Sequence, residues 1–301
     1  MKFNKINKNS YGYLFIAPYF IAVIIIWLYP TLDTLYTSFH KWDGFTKMVP
    51  IGLQNYNDLI HDPLFYTSIW HTVRIWLTSG SVQLIVALIL AATLNHRLMG
   101  RKHFFKASFF LPNIITAAYI GLMFLFLFGW QGGTVNQALM ALGFIKEPVN
   151  WVSQGKYMFP MVSLILFFQW FGYHTILLDS GMTSISREIY EASEVDGANS
   201  VQTFFKITLP MLRPILIYSI ATIIMGGFQT YDLPYILSDP TGSGEPQKSL
   251  LTMNLYMYNT SFKYSRFGYG AALGFSYCLV ILVFTIFAMR TLASSESRVK
   301  E

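Results

Sequence analysis

Only 12% of this 301-residue chain is charged while 53% is hydrophobic, against roughly 25% charged residues in a soluble domain, so a water-facing surface of ordinary composition is excluded. The net charge of +6 resides mostly in Lys and Arg beside apolar blocks, not in a basic stripe interleaved with exposed aromatics, which argues against nucleic acid as a partner. The blocks are each about twenty residues long, enough to cross the roughly 30 Å hydrocarbon layer at about 1.5 Å per residue. The fold class is therefore an all-α membrane protein with about six transmembrane helices in a single transmembrane domain.

In chain order, Lys2, Lys5 and Lys8 precede a first span, Tyr13–Tyr29. A secretory leader begins similarly, but this run is long and no Ala-x-Ala cleavage site follows, so it is read as a retained helix. Residues 31–72 are rich in aromatics and turn formers (Trp42-Asp43-Gly44, Gly52, Asn55, Asn57), a composition that predicts an ordered cap. Further spans are expected at Ile75–Leu94, Ala107–Phe128, Met158–Leu178, Ile215–Leu237 and Gly268–Ala288. Trp27, Tyr29, Trp76, Trp130, Tyr157 and Tyr235 mark their ends, as amphipathic rings do at a membrane interface. The lone Cys278 rules out an intrachain disulfide and is expected to be a small buried hydrophobe. Arg97, Arg101, Lys102, Lys106, Arg187, Lys206, Arg213, Arg290, Arg298 and Lys300 all fall on the side of Lys2, Lys5 and Lys8, which makes that side the cytoplasm and places both termini there.

The inner segment between the fourth and fifth spans, about 180–213, is too polar to cross the membrane. Glu188, Glu191 and Glu194 recur every three residues while Ile185, Ile189 and Ala192 mark another face, and the pattern ends at Gly197, a residue suited to a left-handed helix cap. Asn199 can cap a second helix with Gln202 three residues on. Val201, Phe204, Phe205 and Thr208 supply its apolar face, and Leu209-Pro210 is expected to stop it. An interfacial elbow that merely redirects the chain is the alternative reading.

The string Glu191-Ala192-Ser193-Glu194-Val195-Asp196-Gly197, followed by Ile207-Thr208-Leu209-Pro210, closely resembles the Glu-Ala-Ala loop of permease subunits in binding-protein-dependent ABC importers, with Ser193 in place of the second Ala. The resemblance continues through Gly52-Leu53-Gln54-Asn55-Tyr56, Asp62-Pro63-Leu64-Phe65, Tyr235-Ile236-Leu237, the Gly242–Glu245 turn and Gly268-Tyr269-Gly270-Ala271-Ala272. Together these are similar to the larger permease of the maltose-type or glycerol-phosphate-type sugar branch, lacking the long extra external domain of some maltose permeases. The resemblance implies a type I importer fold in a bacterial-type inner membrane. It also implies a second, similar permease, two cytoplasmic ATPase subunits, an external solute-binding protein and a sugar or oligosaccharide solute as partners. The coupling residues carried over are Glu188, Glu191, Ala192, Asp196, Gly197, Val201, Phe204, Phe205, Ile207, Leu209 and Pro210. No cofactor is implied in this chain; ATP and magnesium would belong to the ATPase partner.

A solute path is suggested by Gly226-Gly227-Phe228-Gln229-Thr230-Tyr231-Asp232, whose polar run is costly facing lipid. In the fourth span Gln169 and Tyr173 share a face, with His174 alongside. Amides can bracket sugar hydroxyls and an aromatic ring can stack on a pyranose, and the resemblance implies that these stretches line the cavity. Helix packing and interhelical hydrogen bonding explain the same residues equally. A self-contained secondary transporter or channel is the alternative function; it needs an internal repeat and intramembrane ionisable groups, for which only Asp232 and His174, with Asp179 at the inner helix end, are candidates. A membrane enzyme needs a nucleophile or metal constellation that the sequence does not offer. In a Cys278→Ala background, single cysteines at Lys5, Arg101, Glu191 and Arg298 are expected to react with an impermeant thiol reagent only from the inside. Cysteines at Asn55, Glu147 and Gly244 should react only from the outside; external labelling of position 191 would refute this topology.

Overall fold

The computed structural model describes residues 8–95, 100–238 and 248–294. The expected inner residues Lys2, Lys5, Arg97, Arg298 and Lys300 and the external Gly242–Glu245 turn lie outside the described residues. Helices α1 (Lys8–Val23) and α2 (Tyr29–Ser38) lead to a two-residue hairpin, β1 (His40–Lys41) and β2 (Val49–Pro50), and then to α3 (Gln54–Ile60) and α4 (Pro63–Asn95). Next come α5 (Lys102–Ile114), α6 (Ala117–Leu127), α7 (Thr134–Ala141) and α8 (Gly155–Ser184). The inner segment holds α9 (Arg187–Val195), α10 (Ser200–Thr203) and α11 (Leu209–Met211), and α12 (Arg213–Phe228), α13 (Asp232–Leu237), α14 (Met253–Tyr258) and α15 (Phe267–Ser294) complete the chain.

Among the described residues, five helical stretches are long and apolar enough to span: Gly12–Ser38, Pro63–Asn95, Gly155–Ser184, Arg213–Leu237 and Phe267–Arg290. The expected third span is not one helix. It is α5 and α6, bent by 92° at their junction. Pro112 withholds an amide hydrogen near the end of α5, and three successive β-branched residues follow, Ile114, Ile115 and Thr116; Ile115 and Thr116 take extended backbone.

Two sequence boundaries also move for one physical reason. Tyr29-Pro30 and Leu209-Pro210 were expected to mark helix ends, yet the chain stays helical through both. Each is preceded by a wide turn, Ile24–Leu28 and Phe204–Thr208, closed by Tyr29 N–H to the Ile24 carbonyl and Leu209 N–H to the Phe204 carbonyl. Proline lacks an amide hydrogen and its ring crowds the carbonyl four residues back; opening the preceding turn accommodates both. Cys278, expected to be buried, is exposed on α15.

The chain divides into two compact units. The first comprises the described residues before Pro63 with Met257–Ser276. In it Asn55 donates to the carbonyls of Ser38 and His40, and Tyr269 donates to Asp62 at 2.7 Å. Gly268 packs so closely on the His40 carbonyl that a Cβ would run into it, and its N–H bonds to the Trp42 carbonyl. Asp43 accepts from the amides of Thr46 and Phe45 and the Thr46 hydroxyl. These bonds, the Thr46 amide foremost, hold the carboxyl at about 2. The expected ordered cap is thus present, shortened by α2 and α4.

The second unit is built around α8. Arg74, Thr78 and Gln83 of α4 meet Phe159, Ser163 and the Leu166 carbonyl of α8, a rising register that makes the two helices parallel. Against them α5 and α12 run the other way. Asn113 donates to the Gln169 carbonyl, and Phe109 faces Gly172. Similarly Ile223 of α12 faces Gly80 of α4, while Leu212 and Ile215 sit over Gly181 of α8. Ala87, Ala91, Leu178, Met182 and Leu212 form one buried cluster, and Ile75, Ile120, Phe124, Met158, Ile165 and Leu233 belong to another. A side chain at Gly172 would collide with the Phe109 backbone carbonyl, which cannot rotate aside. Gly172→Val is expected to destabilise the fold by about 1–3 kcal/mol or more, seen as lost monodisperse protein and a lowered melting temperature in detergent. Gly226, where a Cβ meets open space, should tolerate Ala at no cost to stability.

Candidate functional site

The inner segment folds as two short helices closed on each other. α9 ends in a pair of bonds, Gly197 N–H to Glu194 and Ala198 N–H to Ser193, with Gly197 at φ +77°. This is the left-handed helix stop that glycine adopts without strain. Asn199 and Gln202 then form a reciprocal cap, each side chain bonded to the other's backbone amide. Ser193, the departure from Glu-Ala-Ala, is buried; it donates to the Tyr190 carbonyl and lies 3.3 Å from the Thr203 hydroxyl, tying α9 to α10. Arg187 pairs with Glu191 one turn on, in the open, where such a pair contributes little.

Around this frame Glu188, Glu191, Ala192, Asp196, Val201, Phe205 and Pro210 are exposed, while Phe204, Ile207 and Leu209 are half-buried. The expected apolar face is therefore split. Phe204 and Thr208, four residues apart, turn inward to the helix ends, whereas Val201 and Phe205, also four apart, are 65% and 60% exposed. Val195, which sequence reasoning passed over, is 87% exposed. Val195, Val201 and Phe205 are apolar side chains left open on an otherwise polar element. Val201 and Phe205 also line a cleft of about 1150 Å³ whose other walls include Asn95, Lys102, Arg187, Tyr190 and Thr203.

Among the helices a mostly apolar cavity of about 240 Å³ is walled by Ser79 and Gln83 of α4, Leu166, Trp170, Tyr173 and His174 of α8, Thr222, Ile223, Met225, Gly226 and Gly227 of α12, and Thr230 beyond it. Three of the expected path residues, Tyr173, His174 and Thr230, meet here. His174 Nδ1 is held 2.8 Å from the Ser219 hydroxyl, and Thr230 is buried, its carbonyl accepting from Thr252. Gly227 allows α12 to approach Trp76, where a Cβ would sit 2.7 Å from the ring.

The other path residues do not line this cavity. Gln169 is turned to the bend between α5 and α6, where its amide donates to the Ile115 carbonyl at 3.3 Å. It satisfies a backbone group freed by the bend, as an apolar medium requires. Gln229 and Tyr231 lie between α12 and α13 and Asp232 opens α13, with Gln229 and Asp232 exposed. Ser79 and Gln83, which do line the cavity, went unread, although two polar residues four apart inside an apolar run were the available signal.

The model of the family described as "Binding-protein-dependent transport system inner membrane component" matches residues 13–300. The chain belongs to this family. It is 33% identical to the arabinooligosaccharides transport system permease protein AraP of Bacillus subtilis (strain 168), over 94% of this chain and 89% of that protein. Likewise it is 31% identical to the lactose transport system permease protein LacF of Rhizobium radiobacter, over 95% of both chains. Its fold matches a chain of a bacterial ABC transporter involved in the import of the acidic polysaccharide alginate, with a TM-score of 0.83, 19% identity and coverage of 95% and 96%. A second alginate transporter structure, in complex with an alginate pentasaccharide-bound periplasmic protein, matches at TM-score 0.78, 21% identity and 93% of each chain. This member of the inner-membrane component family is thus a multi-pass transport subunit with the type I importer permease fold.

In this permease Gly197→Val places a β-branched side chain at φ +77°, a cost of about 1–3 kcal/mol confined to the α9–α10 junction. Membrane insertion and melting of the helical bundle should be retained while solute uptake falls to background in whole cells. Normal uptake with the variant fully assembled would show that the junction geometry is dispensable.

Proposed function

We propose that this permease carries a sugar or short oligosaccharide inward, received from an external binding protein, and that its inner helices dock on a cytoplasmic ATPase subunit holding ATP and magnesium. Both termini then lie in the cytoplasm, as the distribution of Lys and Arg favours. The observation that carries the reading is the exposure of Val195, Val201 and Phe205 beside Glu188, Glu191 and Asp196 on a tightly capped helix pair. Apolar side chains on a rigid polar element suit a partner's pocket, with the acids supplying register and charge complementarity.

The cavity supports the same reading from the other end. At about 240 Å³ it is smaller than the roughly 300–1,000 Å³ of small-molecule sites, as suits one wall of a path completed by a second, similar permease. Its aromatic and aliphatic surfaces fit the C–H faces of a sugar, while Ser79, Gln83, Thr222, His174 and Thr230 offer hydroxyl, amide and ring-nitrogen groups. The relatives named for arabinooligosaccharides and lactose favour a carbohydrate.

The reading is tested by uptake of radiolabelled arabinotriose and lactose into cells expressing the complete transporter. Tyr173→Ala should lower uptake by about five- to thirty-fold, the loss of an aromatic anchor worth about 1–2 kcal/mol, with assembly unchanged. Gln169→Ala should instead reduce the amount of assembled complex, because it orphans the Ile115 carbonyl. Undiminished uptake in a fully assembled Tyr173→Ala transporter would remove the ring from the path.

A further inference from the structure

Deep in the α5–α8 contact sits an ion pair, Lys106 with Asp179. The Asp179 side chain is only 3% exposed, whereas that of Lys106 is 31% exposed. A carboxylate buried in an apolar helix contact is costly to hold, and an apolar pair of similar size would serve stability as well or better. Something other than stability therefore recommends the charges.

Position supplies it. Along α5, residues 106, 109 and 113 face residues 179, 172 and 169 of α8, an antiparallel seam with three different fastenings. At one end Gln169 grips the α5–α6 bend through Ile115, a few residues from the cavity-lining Leu166 and Tyr173. In the middle, Gly172 brings the helices into backbone contact with Phe109. At the other end Asp179 lies five residues before α8 ends at Ser184 and the inner segment begins. The Gly172 contact favours this register sterically, and the buried charge adds an electrostatic penalty for leaving it. A slip of one turn, about 5.4 Å, would leave the carboxylate buried without its ammonium, the costliest arrangement open to it.

We propose that Lys106 and Asp179 are positioning residues of the transport cycle: their ion pair pins the register of α5 on α8, so that displacement of the inner helices reaches the α5–α6 bend undiminished. The proposal rests on the reading that an ATPase partner moves the inner helices. It concerns two residues outside both the exposed docking face and the cavity walls.

The test compares Lys106→Met/Asp179→Leu with the single variants, with the reversed pair Lys106→Asp/Asp179→Lys and with Lys106→Arg, all in the complete transporter in lipid vesicles. The apolar double variant is expected to assemble as the wild type does but to import about two- to thirty-fold less sugar, arabinotriose or lactose, per ATP hydrolysed, the range expected when coupling is altered between sites. Lys106→Arg should retain coupling and the reversed pair should regain it. A pair serving stability alone would show wild-type coupling in the double variant, and that result would overturn the proposal.

Register is also read without any sugar. Spin labels at positions 103 and 184, both exposed, in a Cys278→Ala background should give one narrow distance in the wild type and a broadened or shifted one in the apolar double variant. An unchanged distance in that variant would equally refute the pin. Absence of ATP-driven uptake by the wild type would sink the functional reading alone, since the distance measurement stands without it.

Discussion

The second unit depends on how closely the helices flanking α8 can approach it. Gly172 lets α5 rest its Phe109 carbonyl on the helix surface, and Gly181 admits Leu212 and Ile215 from the start of α12. Hydrophobic burial gives little drive between helices in lipid, whose tails are as apolar as leucine, so association relies on such close contact and on interhelical hydrogen bonds. Both occur on α8: glycine against backbone, and the Gln83, Asn113, Gln169 and His174 side chains reaching across to neighbouring helices. The cavity is a product of the same geometry. Gly226, which lines the cavity, leaves a space that a larger side chain would fill, while Gly227 lets α12 close on Trp76.

The bend between α5 and α6 shows the second constraint at work. Breaking a helix in a low-dielectric medium frees carbonyls that no water can reach, and each must find a donor within the protein. Gln169 provides one. A residue whose chemistry suits a sugar is thereby committed to backbone, while Tyr173, one turn further along α8, keeps its ring in the cavity. Polarity inside a span marks need, and only the neighbouring helix decides whether the need is structural or functional.

This explains what could be read in advance. Gly197 and the Asn199–Gln202 cap were legible because their partners lie within three or four residues, and local chemistry alone specifies the junction. The spans were legible from apolar length. The break at Ile115 was not, since Pro112 is one of several prolines within the spans and Pro18 and Pro160 lie inside helices that continue past them, and neither was the role of Gln169, whose partner is 54 residues away. Val195 escaped notice because a single apolar residue at the end of an acidic helix has no periodicity to betray it. The apolar face drawn from Val201 to Thr208 divides because only Phe204 and Thr208 are covered by other elements, which the segment's own sequence does not specify.

That wide turn before Leu209-Pro210 has an evolutionary corollary. Phe204–Thr208 accommodates one residue more than a regular turn would, so it behaves as an inserted residue absorbed without unwinding the helix. Deleting one residue there would remove the bulge and restore a regular spiral, with the turns on either side keeping their orientation. A gain or loss of a single codon at this point is therefore absorbed locally, leaving the spans, the glycine contacts and the capped junction in place.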